Sequence, residues 1–342
     1  MAEVSETARA GAATAKGLAL AGGQKRQARS LWSDAWRQYR KHKLALTGTF
    51  TLLIIALAAL IGPMIYPVSP EALDVTKGLQ GPAIQLRLPV HIKPLGLQSP
   101  VATIRPVNDG PLGYDDLGHD MLSRLLSGGR KSLLVGLMAA LVSIVVGTLV
   151  GSLAGFFGKA IDSVLMRITD LFIALPQLPL LLLISFLYSD KLKKLFGVET
   201  GILVLIVLVI GILNWMAVAR LARASFLSLK EKEFVEAARC IGATSSSIMF
   251  KHILPNVLSP IIVAATLGVG SAIITESSLS FLGLGFPPDV PTWGSMLFVG
   301  KDQLPFAPWI AVEPGLLIFL VVLSINYMGD GLRDALDPRS RV

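Results

Sequence analysis

The sequence is short of charge, cysteine and catalytic punctuation. Asp, Glu, Lys and Arg make up only 16% of its 342 residues, while apolar residues reach 53% and mean hydropathy is +0.64. An ordinary soluble domain carries about 25% charged residues, so two water-exposed globules of this length are excluded and a membrane protein is expected. One cysteine, Cys240, rules out an intrachain disulfide. There is no glycine period for a collagen helix and no dearth of Leu, Ile and Val for a disordered chain. No Gly-x-x-x-x-Gly-Lys-Ser/Thr loop cradles phosphate, and neither His-Glu-x-x-His nor Gly-x-Ser-x-Gly occurs. The net charge of +8 reads, in so apolar a chain, as basic segments held on one side of a bilayer rather than as a nucleic-acid surface.

What the chain has is long apolar runs. A helix needs roughly 20 apolar residues to cross a bilayer. Leu44–Tyr66, Leu133–Phe157, Gly201–Ala219 and Val257–Thr275 meet that length without a charge, and Leu171–Tyr188 gives 18 residues. A last run from Ile310 to Gly329 is interrupted only by Glu313. The expected fold is all-α with six transmembrane helices, at 44–66, 133–157, 163–188, 201–219, 257–275 and 310–329. The first run follows a polar tail (1–43) and is too long for a secretory signal core. That tail begins Ala/Gly-rich and reads as disordered, then carries Lys25, Arg26, Arg29, Arg37, Arg40, Lys41 and Lys43. Lys and Arg concentrate in the tail, in 220–256 and in 330–342. Six spans put all three on one side, so both termini are expected in the cytoplasm. Lys191, Lys193 and Lys194 dissent, lying outside together with the 67–132 segment.

Gly147, Gly151 and Gly155 fall on one helical face and suit either close helix packing or substrate passage, with packing the expected use. Arg167 and Asp170, three apart, are expected to pair. Pro176 and Pro179 each remove a backbone donor and predict a kink. Cys240 is expected as a small packing residue.

The segment 220–256 is too polar to span and too patterned to be a linker. Phe234, Ala237, Ala238 and Ile241 form one apolar stripe on a short helix. Gly242 follows where a left-handed cap is expected. Thr244 to Ser247 supply N-cap hydroxyls for a second helix carrying Ile248, Met249 and Ile253 and ending before Pro255. A DNA-reading helix-turn-helix has this outline too, but the flanking spans and the sparse basic residues of the second helix argue against it.

Glu236-Ala237-Ala238, three residues, Gly242, nine residues, His252, then Leu254-Pro255 resembles the EAA loop of the membrane subunits of bacterial ABC importers. His252, where the general pattern has isoleucine, is similar to the peptide-importing branch. Leu112 to Asp115, Leu117 to Asp120, Ser123 to Leu125 and Gly129-Arg130 resemble that branch as well, with His119 and Tyr114 departing from its more usual arginine and threonine. Ser278 to Gly285 with Trp293-Gly294, and Gly331 to Pro338, complete a resemblance covering roughly 30–340. It implies a type I importer permease fold with cytoplasmic coupling helices, in the bacterial cytoplasmic (inner) membrane. It also implies a homologous second permease, two ATPase subunits that bind ATP-Mg, an extracytoplasmic peptide-binding protein, and no cofactor or metal in this permease. Glu236, Ala237, Ala238, Arg239, Gly242, His252 and Pro255 would couple the permease to an ATPase subunit. The segment 68–110 is longer than the family usually needs.

The outer segment 276–309 is rich in Gly, Pro and aromatics, including Phe281, Phe286, Trp293, Phe298, Phe306 and Trp309. It reads as an interfacial belt, an outer gate, or both. Glu276, Phe281 and Trp293 are its candidate gate or substrate residues, with Glu276 expected to meet a peptide amino terminus. Three rival readings arise: a nickel-chelate or glutathione importer, a passive channel, and an intramembrane hydrolase. The last is excluded by the absence of any of the four histidines from a span.

Overall fold

The computed structural model describes residues 31–83 and 110–336. The basic cluster at 25–29, residues 84–109 of the long outer segment and the end of the C-terminal motif lie outside them. Among the described residues the protein is helical, with one isolated β-bridge between Tyr114 and Asp120. The helices are α1 (Leu31–Tyr39), α2 (Lys43–Ile65), α3 (Met121–Phe157), α4 (Lys159–Ala174), α5 (Gln177–Phe196), α6 (Val198–Leu229), α7 (Glu233–Cys240), α8 (Ser245–Phe281), α9 (Trp293–Gln303) and α10 (Trp309–Leu336).

Five of these, α2, α3, α6, α8 and α10, are each long and apolar enough to cross a membrane, and α4 with α5 makes a sixth candidate bent by 87°. The bend sits at Leu175-Pro176. Pro176 has no amide proton and forces its predecessor out of helical geometry, so α4 stops and α5 starts anew. The expected kink in one span is therefore a break between two helices.

Among the described residues the most extensive helix–helix contact is between α3 and α6. A Cβ on Gly147 would lie 2.6 Å from the Trp215 carbonyl oxygen, and one on Gly151 would lie 2.3 Å from that of Ala219. One on Gly155 would lie 2.6 Å from Phe226 Cβ. Lipid supplies no hydrophobic drive for helix association, so contact of this intimacy, with Ala219 and Ala222 opposite, is what holds the pair. Packing is the use these glycines have.

Charges near the helix ends are paired across elements. Asp170 of α4 accepts from Arg220 of α6 at 2.5 Å, and Asp162 accepts two bonds from Arg223 at 2.5 and 2.6 Å. The i, i+3 pairing of Asp170 with Arg167 is thus replaced by a partner fifty positions away, and Arg167 is exposed. On the far side of the bundle, Tyr66 at the end of α2 donates to Asp120 at 2.9 Å, while Asp120 caps α3 by accepting from the Ser123 amide at 2.8 Å.

Candidate functional site

The elbow between α6 and α8 is built by local rules. Helix α7 ends in a full Schellman cap: the Ala243 amide bonds the Ala238 carbonyl and the Gly242 amide bonds that of Arg239, each at 3.0 Å. Gly242 takes φ +80°, which a β-carbon resists even though nothing lies within 4 Å of it. Two residues on, the Thr244 hydroxyl accepts from the Ser247 amide at 3.3 Å and starts α8.

The second helix does not end before Pro255. It passes through a π turn at Ile248–Ile253 and continues to Phe281. The widened turn, with the Leu254 amide bonded to the Met249 carbonyl, accommodates Pro255, which cannot donate and would crowd the carbonyl four residues back. The Asn256 side chain bonds the His252 carbonyl at 2.7 Å.

One face of α7 is rooted in the bundle. Val235 and Ala238 are buried with Ala222 and Phe226 of α6 and with Ile248, Met249, Ile253 and Val257 of α8. Lys230 adds a bond to the Gly155 carbonyl at the end of α3, 3.3 Å away. The opposite face is bare: Ile241 is 84% exposed, Phe234 40%, and Glu236, Ala237 and Arg239 are exposed with them. The expected stripe is therefore split. Ala238 turns inward, while Phe234, Ala237 and Ile241 turn out. Val235, absent from the expected stripe, was findable, since Val235 and Ala238 themselves keep the i, i+3 spacing. His252 is half-buried and Pro255 exposed. Cys240 is exposed rather than packed.

The outer residues are placed differently from the elbow. Glu276 is fully buried, and its carboxylate accepts from Ser280 at 2.9 Å, Ser132 at 3.3 Å and Ser277 at 3.4 Å. Trp293 is buried as well, its indole donating to the Leu125 carbonyl at 3.1 Å and its amide to the Ser132 hydroxyl at 3.2 Å. Together they fasten α8 and α9 to α3. Phe281 stays at the surface beside the Lys301 ammonium, 5.5 Å from its ring centre. With its oxygens already occupied, Glu276 is a holding group, and a direct contact to a peptide amino terminus is not retained for it.

A second buried cluster ties the outer loop together. Asp115 Oδ2 lies 2.6 Å from His119 Nδ1 and 3.5 Å from Arg124, whose other nitrogen bonds the Pro288 carbonyl at 2.5 Å. Burial pushes the Asp115 carboxyl up, but hydrogen bonds from the His119 side chain and amide, with the nearby His119 and Arg124 charges, outweigh it and hold the group below its ordinary value.

Residues 147–342 match the family described as the binding-protein-dependent transport system inner membrane component. Residues 30–82 match the N-terminal transmembrane domain of oligopeptide transport permease C. The chain belongs to this permease family. Full-length relatives agree. A dipeptide transport system permease protein of Alkalihalophilus pseudofirmus is 36% identical over 91% of both chains. A di/tripeptide transport system permease protein of Pseudomonas aeruginosa is 38% identical over 90% of this permease and 91% of its own length. A glutathione transport system permease protein of Pectobacterium atrosepticum is 35% identical over 91% and 92%. An inward-facing structure of the MetNI methionine ABC transporter shares the fold, with a TM-score of 0.50 at 20% identity over 64% of this permease and 98% of that chain. The permease is thus a multi-pass membrane component of an ABC importer, and the elbow lies inside the region matched by the family.

Proposed function

We propose that this permease forms half of a path carrying di- and oligopeptides inward, and that α7 is its drive point. The outward face of Phe234, Ala237 and Ile241 on a helix whose other face is locked to α6 and α8 is the observation that carries the reading. Such a patch suits a cleft on an ATPase subunit, with Glu236 and Arg239 at its rim for charged contacts. Closure of two ATPase subunits around ATP-Mg draws α7 inward. Because Val235 and Ala238 are packed on α6 and α8, those two long helices follow. A homologous permease supplies the other half of the path, and an external binding protein delivers the solute to the outer segment. Glu276 and Trp293 brace that segment, and Phe281 at its surface contributes to an outer gate. Both termini face the cytoplasm with the basic segments.

The peptide substrate is supported by the dipeptide and di/tripeptide systems to which the relatives belong. Glutathione, itself a modified tripeptide, is the second reading, favoured by a relative of similar identity.

Gly242 tests the drive point. Replacing it with Val forces a β-branched residue into a left-handed backbone at a cost of about 1–2 kcal/mol, and Gly242→Asn tolerates that backbone far better. Expected is loss of both peptide uptake and transport-stimulated ATP hydrolysis in Gly242→Val at normal membrane levels, with substantial recovery in Gly242→Asn. Wild-type coupling in Gly242→Val contradicts the assignment.

A further inference from the structure

Two cavities meet at the middle of α6. One, of about 390 Å³, lies between α3, α6 and α8 and is bordered by Ser143, Asn214, Ala217, Gly268 and Ser271. The other, of about 290 Å³, lies between α4, α5 and α6 and is bordered by Gln177, Asn214, Ala217 and Arg220. Asn214 and Ala217 border both. Asn214 is near the midpoint of α6 and inside the apolar run 201–219, about 7–8 Å from the cytoplasmic end of that run at 1.5 Å per residue.

A carboxamide inside the span is costly without partners, and it either bonds across helices or serves a ligand on the path. Asn214 is only partly satisfied by the protein. Its Nδ2 donates to the Ile210 carbonyl at 2.9 Å, and its Oδ1 accepts from Gln177 Nε2 at 3.2 Å. A carboxamide has two donor hydrogens and two acceptor lone pairs, so one of each is left over. The larger cavity is in the size range of small-molecule sites. It has no charged side chain in its wall, only apolar residues, two serine hydroxyls and this amide.

That chemistry fits the part every peptide has in common. We infer that Asn214, supported by Gln177, is an amide-reading station in the translocation path, pairing with the backbone carbonyl and amide groups of a passing peptide while the neutral wall accepts side chains of either sign. Ala217 and Gly268 keep the passage open by being small. The inference rests on the peptide reading given above.

The experiment uses the assembled complex in proteoliposomes, with the binding protein outside and ATP inside. In a Cys240→Ser background, Ala217→Cys becomes the single thiol of this permease, and the Cys240→Ser complex sets the reference uptake. Methanethiosulfonate reagents carrying an ammonium or a sulfonate are the probes. Modification is expected to cut dipeptide uptake at least tenfold, to slow in the presence of loaded binding protein under turnover, and to leave residual transport biased by charge. The sulfonate adduct should favour Lys-containing over Glu-containing dipeptides, and the ammonium adduct the reverse. In the second variant, Asn214→Leu, half-maximal uptake is expected at roughly tenfold higher loaded binding protein, with peptide affinity of the isolated binding protein unchanged. An active complex in which Ala217→Cys never reacts would mean that the partner permease covers this groove, and the inference falls. It falls equally if Asn214→Leu leaves uptake as it was, whatever modification of Ala217→Cys does. A reference complex that carries no peptide at all sinks the peptide reading itself.

Discussion

At Asp115 the fold sets a carboxylate among groups that want it charged: His119, the loop amides and Arg124. Because its folded-state value lies below that of the unfolded chain, the group binds fewer protons when folded. Its stabilising effect is therefore present above the usual carboxyl titration range near pH 4 and is lost as pH falls through the lower folded value. Asp115→Asn is expected to destabilise the detergent-solubilised protein by about 3 kcal/mol at neutral pH, as breaking a buried ionic contact does. The gap between variant and parent should close on acidification, which thermal melts at several pH values will show. Gly242 and Thr244 were legible in the sequence because each has a backbone or capping demand that few residues meet. Glu276 was not: its place at the outer end of a span was visible, but the serines that occupy it come from α3 and from a turn further along α8, and burial is a tertiary fact. Asp170 likewise had a plausible neighbour in sequence and a better one in space.

At the scale of the element, α3 and α6 owe their contact to a glycine face, and the sequence announced it because small residues at i, i+4 and i+8 leave few other uses in an apolar helix. Gly151→Leu drives a side chain into the Ala219 carbonyl and Ala222 Cβ, so little folded protein should reach the membrane. Gly268→Ala, where the added carbon meets only Ala140 at 3.9 Å, should be neutral or gain up to about 1 kcal/mol from helix propensity. Membrane levels and melting temperatures of the two variants check this, and equal behaviour would remove the seam from the account. The elements misread were those where proline met a longer context. Pro255 has the sequence character of a terminator, yet a π turn absorbs it. The kink expected from Pro176 and Pro179 is a complete break, since Leu175 as well as Pro176 leaves the helical region. The stripe on α7 had the right spacing, but an eight-residue helix packed between two long ones has two apolar faces, and only the bundle decides which is hidden.

For the whole molecule, six runs of apolar residues outlined the helices, while the machine to which it belongs was visible through the EAA-like elbow and the stretches within 112–130, 278–294 and 331–338 that share its resemblance. The elbow is rooted in α6 and α8, and α6 carries Asn214 near its midpoint, so under the proposed function a displacement of α7 would reach the groove along a continuous helix. The account stands or falls on what α7 touches. Cys240 is exposed on α7 and is the single cysteine of the permease, which makes it a natural handle. A photoactivatable, thiol-directed cross-linker placed there in native membranes, followed by mass spectrometry of the adduct, reads the neighbour directly. The expected product is a conjugate with an ATPase subunit, formed in inside-out vesicles. Conjugation to the external binding protein, or no ATPase conjugate from a preparation in which an ATPase subunit co-purifies with the permease, contradicts the coupling role of the elbow.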